Sequence, residues 1–413
     1  MSIRKLIKIV PLILIATVLL GAAVPGMAQD KKITFLTPAW GVPPDEDALK
    51  AFEAEAGFTV EIQSVQMADL FTRVQTSAAT GQPAADVIFL TEEAPSNVVA
   101  TGNMLALNDL IAASDLDLAD FNKVDFWTSE DQTYGIPVYL QLVMMDYNKA
   151  KLSAGGFDAP PTTWAELKEQ AAAIKAGGGD EYPIAMGAID WSWYLMALSM
   201  GDPMFDADLN PVFADEGSKA REAMSMLLGF FADGLISPDI LAGSVSQHSL
   251  FWSGMGVFHQ GWQGSVAVGN NPDASKQAPD VNYMLLPEVG NTWSFPAALG
   301  IDKNSPNAED AWKFIEWYVQ PENQVSIYNA FGLYPSRTSV AEQLNADGKI
   351  AGYDSIVEQS AHVNELPRQT LWWGPFTQKV SESILQAAQS GTSSDEVIDA
   401  LAQEWNDLKA EYE

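Results

Sequence analysis

The sequence predicts an α/β fold in two lobes that exchange segments of chain, and three observations carry that expectation. Residues 31–90 alternate strand, helix, strand, helix, strand, the order of a parallel α/β sheet. The 413 residues suffice for two or three domains, and α/β patterning occurs toward both ends. No internal repeat, low-complexity tract or Pro/Ser-rich linker divides them.

In chain order, KKITFLT (31–37) reads as a strand from its β-branched and aromatic content. DEDALKAFEAEAG (45–57) reads as a helix, with Leu49 and Phe52 on one face and Gly57 as its stop. FTVEIQSV (58–65) alternates as a second strand, and FTRVQTSAATG (71–81) is helical. ADVIFL (85–90) is the near-continuous apolar run of a buried parallel strand. In YGIPVYLQLVMMDYNKAKL (134–152), Pro137 is expected to interrupt a long apolar strand that ends at Tyr147-Asn148-Lys149.

The next helix, within 159–179, is clearly punctuated. Thr163 with Glu166 fits a capping box, Trp164, Leu167, Ala171 and Ile174 form the buried stripe, and Gly177 to Gly179 end it. Further helices are expected at 218–234, at 307–320 with Pro321 as its stop, and at 393–412.

Composition narrows the function. The chain is 47 % hydrophobic and 18 % charged, which allows a large core. The first 28 residues read as a secretory signal. Arg4, Lys5 and Lys8 precede an apolar stretch from Ile9 to Val24, and Gly26-Met27-Ala28 is a small-x-small cleavage site. That stretch contains Pro11 and is shorter than the roughly 20 residues of a membrane span. Cleavage near Ala28 would release a soluble chain into the periplasm. With no cysteine, disulfides, thiolate metal sites and a lipid anchor at the cleavage point are excluded.

Net charge is −32, and the signal segment holds three of the 22 basic residues and none of the 54 acidic ones. Such a field repels nucleic acid, anionic lipid and phosphorylated ligands, but leaves neutral and cationic ligands open.

Catalytic and metal signatures are poor. His248, His259 and His362 share no ligand spacing, so neither a metal site nor a cofactor is expected. Asp206, Asp208 and Asn210 resemble a calcium loop. Pro211 occupies its turning-glycine position, however, and Gly217 that of its bidentate Glu, so a turn is expected. No phosphate-binding loop, dinucleotide fingerprint or nucleophile elbow occurs. Glu92-Glu93, after ADVIFL, could serve as an acid pair, hydrogen-bond sugar hydroxyls, or simply be solvated.

Aromatic residues say more. Of 13 Trp, Trp164, Trp312, Trp317 and Trp405 sit at or beside helix stripes and are expected in the core. Trp40, Trp191, Trp193, Trp262, Trp293 and the pair Trp372-Trp373 fall where elements end. A pyranose offers C–H faces to aromatic planes and hydroxyls to polar side chains, so these positions suggest a sugar site. The stretch FHQGWQGS (258–265) sets Trp262 between glycines, as though a loose backbone left the indole open to a ligand.

Four segments in order resemble the extracellular solute-binding proteins of ABC importers, in the maltose-binding-protein-like carbohydrate branch. They are 134–174, with its YNK strand end and PPTTWAEL helix; LFWSGMGVFHQGWQGS (250–265); WSFPAALGIDKNSPNAEDAWKFIEWYVQPENQ (293–324); and FGLYPSR (331–337). The resemblance implies a clamshell whose ligand lies between lobes, one from 29–138 plus about 298–345, the other from 139–297 plus about 346–413. It implies a monomer that performs no bond chemistry and delivers a sugar to membrane permease subunits, which would recognise the closed form.

Position by position, the resemblance makes Trp262 the aromatic on which a sugar ring stacks, and Glu92 or Glu93 the acid after the third strand. Gln141 falls on the hinge strand, and Trp191 or Trp193 becomes the second-lobe aromatic. Trp372, Trp373 or Phe376 takes the C-terminal place, with Trp40 and Arg337 as further contacts. The loop TPAWGVPPDED lacks the Asp-Lys-type polar pair of the best-known maltodextrin binder. Two alternatives remain open: the same clamshell binding a cation such as a polyamine or another small organic solute, and a secreted glycosidase.

Overall fold

The computed structural model describes residues 31–91, 102–187 and 189–412. The signal-like segment and the Glu92-Glu93 pair therefore lie outside the described residues. The first strands, β1 (Lys32–Thr37), β2 (Thr59–Ser64) and β3 (Val87–Leu90), form where β-branched and aromatic residues cluster. β1 pairs in parallel with both others. The helices Glu46–Ala56 and Met67–Thr80 make the crossovers. Asp45 caps the first by accepting from the Ala48 N–H, and Gly57 closes it at φ 76°.

A short hairpin, β4 (Thr128–Ser129) with β5 (Gln132–Thr133), leads into β6 (Ile136–Asn148). Four more strands complete the set among the described residues: β7 (Ile184–Ala185), β8 (Phe258–Trp262), β9 (Val281–Met284) and β10 (Ser294–Ile301). β6 runs through the whole assembly. Its first half, Ile136 to Leu142, pairs antiparallel with β10. From Val143 onward it pairs antiparallel with β8, and from Met145 with β9 on its other edge. The sheet order is β2-β1-β3-β10-β6-β8-β7, with β9 beside β6.

Pro137 does not interrupt this strand. It is the second residue of β6, beside the register slip between Ala297 and Ala298, where a residue without an N–H donor fits. Pro321 likewise starts a helix, Pro321–Phe331, after the preceding one has ended at Tyr318. The helix Trp164–Ala176 forms as its pattern requires. Thr163 and Glu166 make both capping-box hydrogen bonds, and Trp164, Leu167, Ala171 and Ile174 are buried.

Two large buried clusters flank the β6 changeover. One joins Phe35, Leu90, Ile136, Leu299 and Phe314; the other joins Met145, Trp164, Trp193, Phe258 and Trp405. A smaller cluster packs Leu142 and Met144 of β6 against Tyr328, Val340 and Leu344.

The glycines of FHQGWQGS serve close contact, not a loose backbone. Residues 258–262 are strand, and neither Gly261 nor Gly264 has a positive φ. A Cβ on Gly261 would lie 2.5 Å from Ser265 Oγ and 2.7 Å from Asp146 Oδ2. One on Gly264 would lie 1.7 Å from the Gly332 carbonyl oxygen. Because the obstacle is backbone, Gly264→Ala should destabilise the protein by about 1–3 kcal/mol through overpacking. A lowered urea midpoint at unchanged m-value is the expected result. An unchanged midpoint would mean that the crossing relaxes freely.

Candidate functional site

A cavity of about 710 Å³ lies where strands end. Trp40 enters it from the tight turn Ala39–Gly41 after β1, and Thr91 from the residue following β3. Gly41 permits that turn, since a Cβ there would come within 2.1 Å of Thr37 Oγ1 and 2.6 Å of the Phe89 ring. Tyr139, Gln141 and Val143, alternate residues of β6, supply the floor, and Phe295 of β10 stands opposite Gln141. Gln260 and Trp262 come from the end of β8, and Trp191 from the helix Ile189–Ser199. The helix Gln247–Trp252 contributes Gln247, His248 and Trp252, and Phe331 and Leu333 bracket Gly332. Carboxyl ends of strands are where open α/β sheets place ligands.

Edge-to-face contacts hold the aromatic walls. Trp191 packs on Trp293 at 5.4 Å and 77°, and on Phe295 at 5.3 Å and 63°. Trp262 meets His248 at 4.9 Å and 84°, and Trp252 at 5.6 Å and 76°. Its Nε1–H donates to the Gly332 carbonyl at 3.1 Å, which fixes the indole against the Gly264–Gly332 crossing.

Polar groups are few and neutral. Gln141 is fully buried with neither amide atom paired, and Thr91 Oγ1 and Trp252 Nε1 are also buried without a partner. Buried polar atoms are normally satisfied, so unpaired ones on a cavity wall suit a ligand's polar groups. Ser192 Oγ holds Gln260 by donating to its Oε1 at 2.8 Å. Among the described residues, no Asp, Glu, Lys or Arg lines the cavity.

Trp40, Gln141, Trp191 and Trp262 are thus brought together on this cavity; other expected site residues are not. Trp193 is fully buried and donates through Nε1 to the Ala220 carbonyl, packing edge-on against Phe213. Trp372, Trp373 and Phe376 are core residues against Trp405. Arg337 stacks over Phe121 and pairs with Asp120 at 2.9 Å, so its charge holds a loop outside the cavity. Trp293 is buried behind Trp191.

Helical periodicity could not separate Trp191 from Trp193, because the helix carrying both is buried nearly all round. Trp252, Tyr139, Phe295, Phe331, Gln247, His248 and Gln260 had no local signal beyond residue type; the LFW run holding Trp252 reads as ordinary core. Asp206 accepts from the Asp208 and Asn210 backbone N–H groups, a side-chain-capped turn.

A family model for bacterial extracellular solute-binding proteins matches residues 47–352. The chain belongs to that family. Among its relatives, a Brucella abortus (strain 2308) protein described only as a binding protein is 25 % identical over 348 residues, 78 % of this chain and 80 % of its own. A Sinorhizobium fredii periplasmic-binding protein named for an amino-acid ABC transporter is 24 % identical over 225 residues, 52 % of this chain and 51 % of its own.

Among solved structures, maltose-bound MalE3 of T. maritima superposes with a TM-score of 0.78 at 20 % identity, over 91 % of this chain and 99 % of that one. The sugar-binding protein MalE of Xanthomonas citri gives 0.72 at 22 % identity, over 92 % and 98 %. These likenesses establish the two-lobed clamshell of this solute-binding protein. No helix of the described residues is long and apolar enough to cross a membrane.

The unpaired Gln141 amide predicts a trade between stability and binding. Gln141→Leu removes two unsatisfied polar atoms at similar volume, so the ligand-free protein should gain about 1–3 kcal/mol. Thermal unfolding of both forms checks this. A less stable variant would show that the amide has protein partners.

Proposed function

We propose that this protein captures an uncharged, hydroxyl-rich solute, a sugar or sugar alcohol, in the aromatic cavity and passes it to the permease of an ABC importer without altering it. The carrying observation is the cavity wall. Trp40, Trp191, Trp252 and Trp262 surround the neutral amides of Gln141, Gln247 and Gln260, with no charged side chain among the described lining residues. Aromatic faces suit the C–H surfaces of a sugar ring, and amides suit its hydroxyls, each able to donate and accept. An amino acid or polyamine needs fixed opposite charges, which the described lining residues lack.

The sugar-binding neighbours support the same reading. We infer a periplasmic monomer, with one lobe from 29–138 plus about 298–345 and the other from 139–297 plus about 346–413. The two large buried clusters support that division. In this reading the β6 changeover is the hinge, Gln141 and Trp262 are the central contacts, and Trp40 and Trp191 close the site from either side.

A thermal-shift screen of residues 29–413 against mono- and disaccharides, sugar alcohols, amino acids and polyamines tests the proposal. A ligand at 100 times its Kd adds about 2.7 kcal/mol, which raises Tm by several degrees. The expected hit is a neutral polyol or sugar whose affinity is insensitive to salt. Trp262→Ala should weaken it about tenfold or more through lost stacking. A salt-sensitive polyamine hit, or an amino-acid hit, would overturn the reading.

A further inference from the structure

Two fully buried side chains and a half-buried one link the cavity wall to a point deep in the sheet. Asp146 of β6 stands directly opposite His259 of β8 in the strand register. Asp146 Oδ2 lies 2.9 Å from His259 Nδ1, and His259 Nε2 lies 2.9 Å from His248 Nδ1. His248 is half-buried and lines the cavity, where its Nε2 lies 3.3 Å from the Gln247 amide nitrogen. Asp146 and His259 are fully buried, and the His259 ring stacks on Phe251 at 4.6 Å and 5°. Gly261 makes room for the carboxylate, since a Cβ would sit 2.7 Å from Asp146 Oδ2.

We propose that Asp146, His259 and His248 form a net-neutral relay, buried at its inner end, whose outward end, the Nε2–H of His248, donates to an acceptor oxygen of the bound solute. The inference rests on the proposed use of the cavity as a solute site, and it deepens that reading by assigning positioning residues. Proton counting fixes the direction of the relay. An isolated buried charge is costly, and among the described residues no Lys or Arg acts on any of the three groups. A net-neutral trio holds three protons.

Whether the innermost proton rests on Asp146 or on His259 Nδ1, His259 Nε2–H donates to His248 Nδ1, and His248 is left protonated on Nε2. Two N–H groups cannot bond to each other, so Gln247 then turns its Oε1 toward this ring or yields the position to the solute. Losing one proton reverses the His259–His248 bond, so that His248 Nδ1–H donates inward and its Nε2 presents a lone pair instead. A solute hydroxyl that accepts from His248 would then have to donate back, leaving its previous acceptor unpaired.

The surroundings favour the neutral state. Burial raises the Asp146 carboxyl well above its usual range, with the Ser265 hydroxyl opposing, and burial lowers both imidazoles to about 3. From β9, Tyr283 faces the relay; burial and the nearby Asp146 push its hydroxyl well above 10, so it stays protonated. The helix Ser265–Gly269 adds only the Ser265 hydroxyl. Binding to the donor form favours the protonated relay. Affinity is therefore full at the acid end and is lost as pH rises through the ionisation of the relay.

The test begins without ligand. The chain has three histidines, so long-range ¹H–¹⁵N spectra at pH 7 resolve each ring. Protonation of His248 on Nε2 is expected; protonation on Nδ1 alone overturns the proposal. The Kd of the solute found in the thermal-shift screen, measured from pH 5 to 10, should rise about tenfold in the wild type. In Asp146→Asn, whose amide can donate to His259 but cannot ionise, the profile should be flat whatever its absolute affinity. Parallel profiles for the two proteins overturn the relay. If that substitution prevents folding, the wild-type spectra still decide the tautomer. A donor tautomer in a protein that binds no sugar or polyol supports the relay while removing the sugar reading.

Discussion

One strand carries the architecture. β6 is hydrogen-bonded to β10 over its first half and to β8 and β9 over its second, so both large cores are built on one run of 13 residues. Such a strand must be apolar throughout, because both faces are covered on both sides of the changeover. Two of its polar residues are informative. Gln141 lies just before the changeover and lines the cavity, while Asp146 lies beyond it and anchors the histidine pair. Polar side chains in an otherwise apolar strand are costly to bury, and their positions mark where the strand meets the cavity and the relay.

Close backbone approach is the second constraint. Gly264 and Gly332 touch with no room for a side chain, and Trp262 is tied to the Gly332 carbonyl by its indole N–H. The same chain crossing that excludes Cβ atoms therefore orients a cavity aromatic. Rigidity at this point, not looseness, sets the indole plane, which suits a site that must present a fixed surface.

The molecule is strongly acidic as a whole, yet its cavity lining is neutral among the described residues. Global charge acts through solvent and is screened within about a Debye length. Under the proposed function, recognition in the cavity is instead set by the few groups on its wall. The unpaired amide of Gln141, the unpaired hydroxyl of Thr91 and the indole N–H of Trp252 are short-range, directional and uncharged.

The sequence alone determined the early strand–helix–strand order, the capping box at Thr163 and the buried stripe behind it. These depend on contacts between residues close along the chain, whose side chains carry the periodicity directly. It also pointed to Trp40, Gln141, Trp191 and Trp262, through strand ends and family resemblance. It could not tell Trp191 from Trp193, or Trp262 from Trp372, because a tryptophan at an element's end looks the same whether a cavity or a helix lies against it. Nor could it pair Asp146 with His259, 113 residues apart and made neighbours only by strand register. Which aromatic faces the cavity, and which polar groups meet inside it, was decided by tertiary packing, since burial and cross-strand pairing depend on residues distant in sequence.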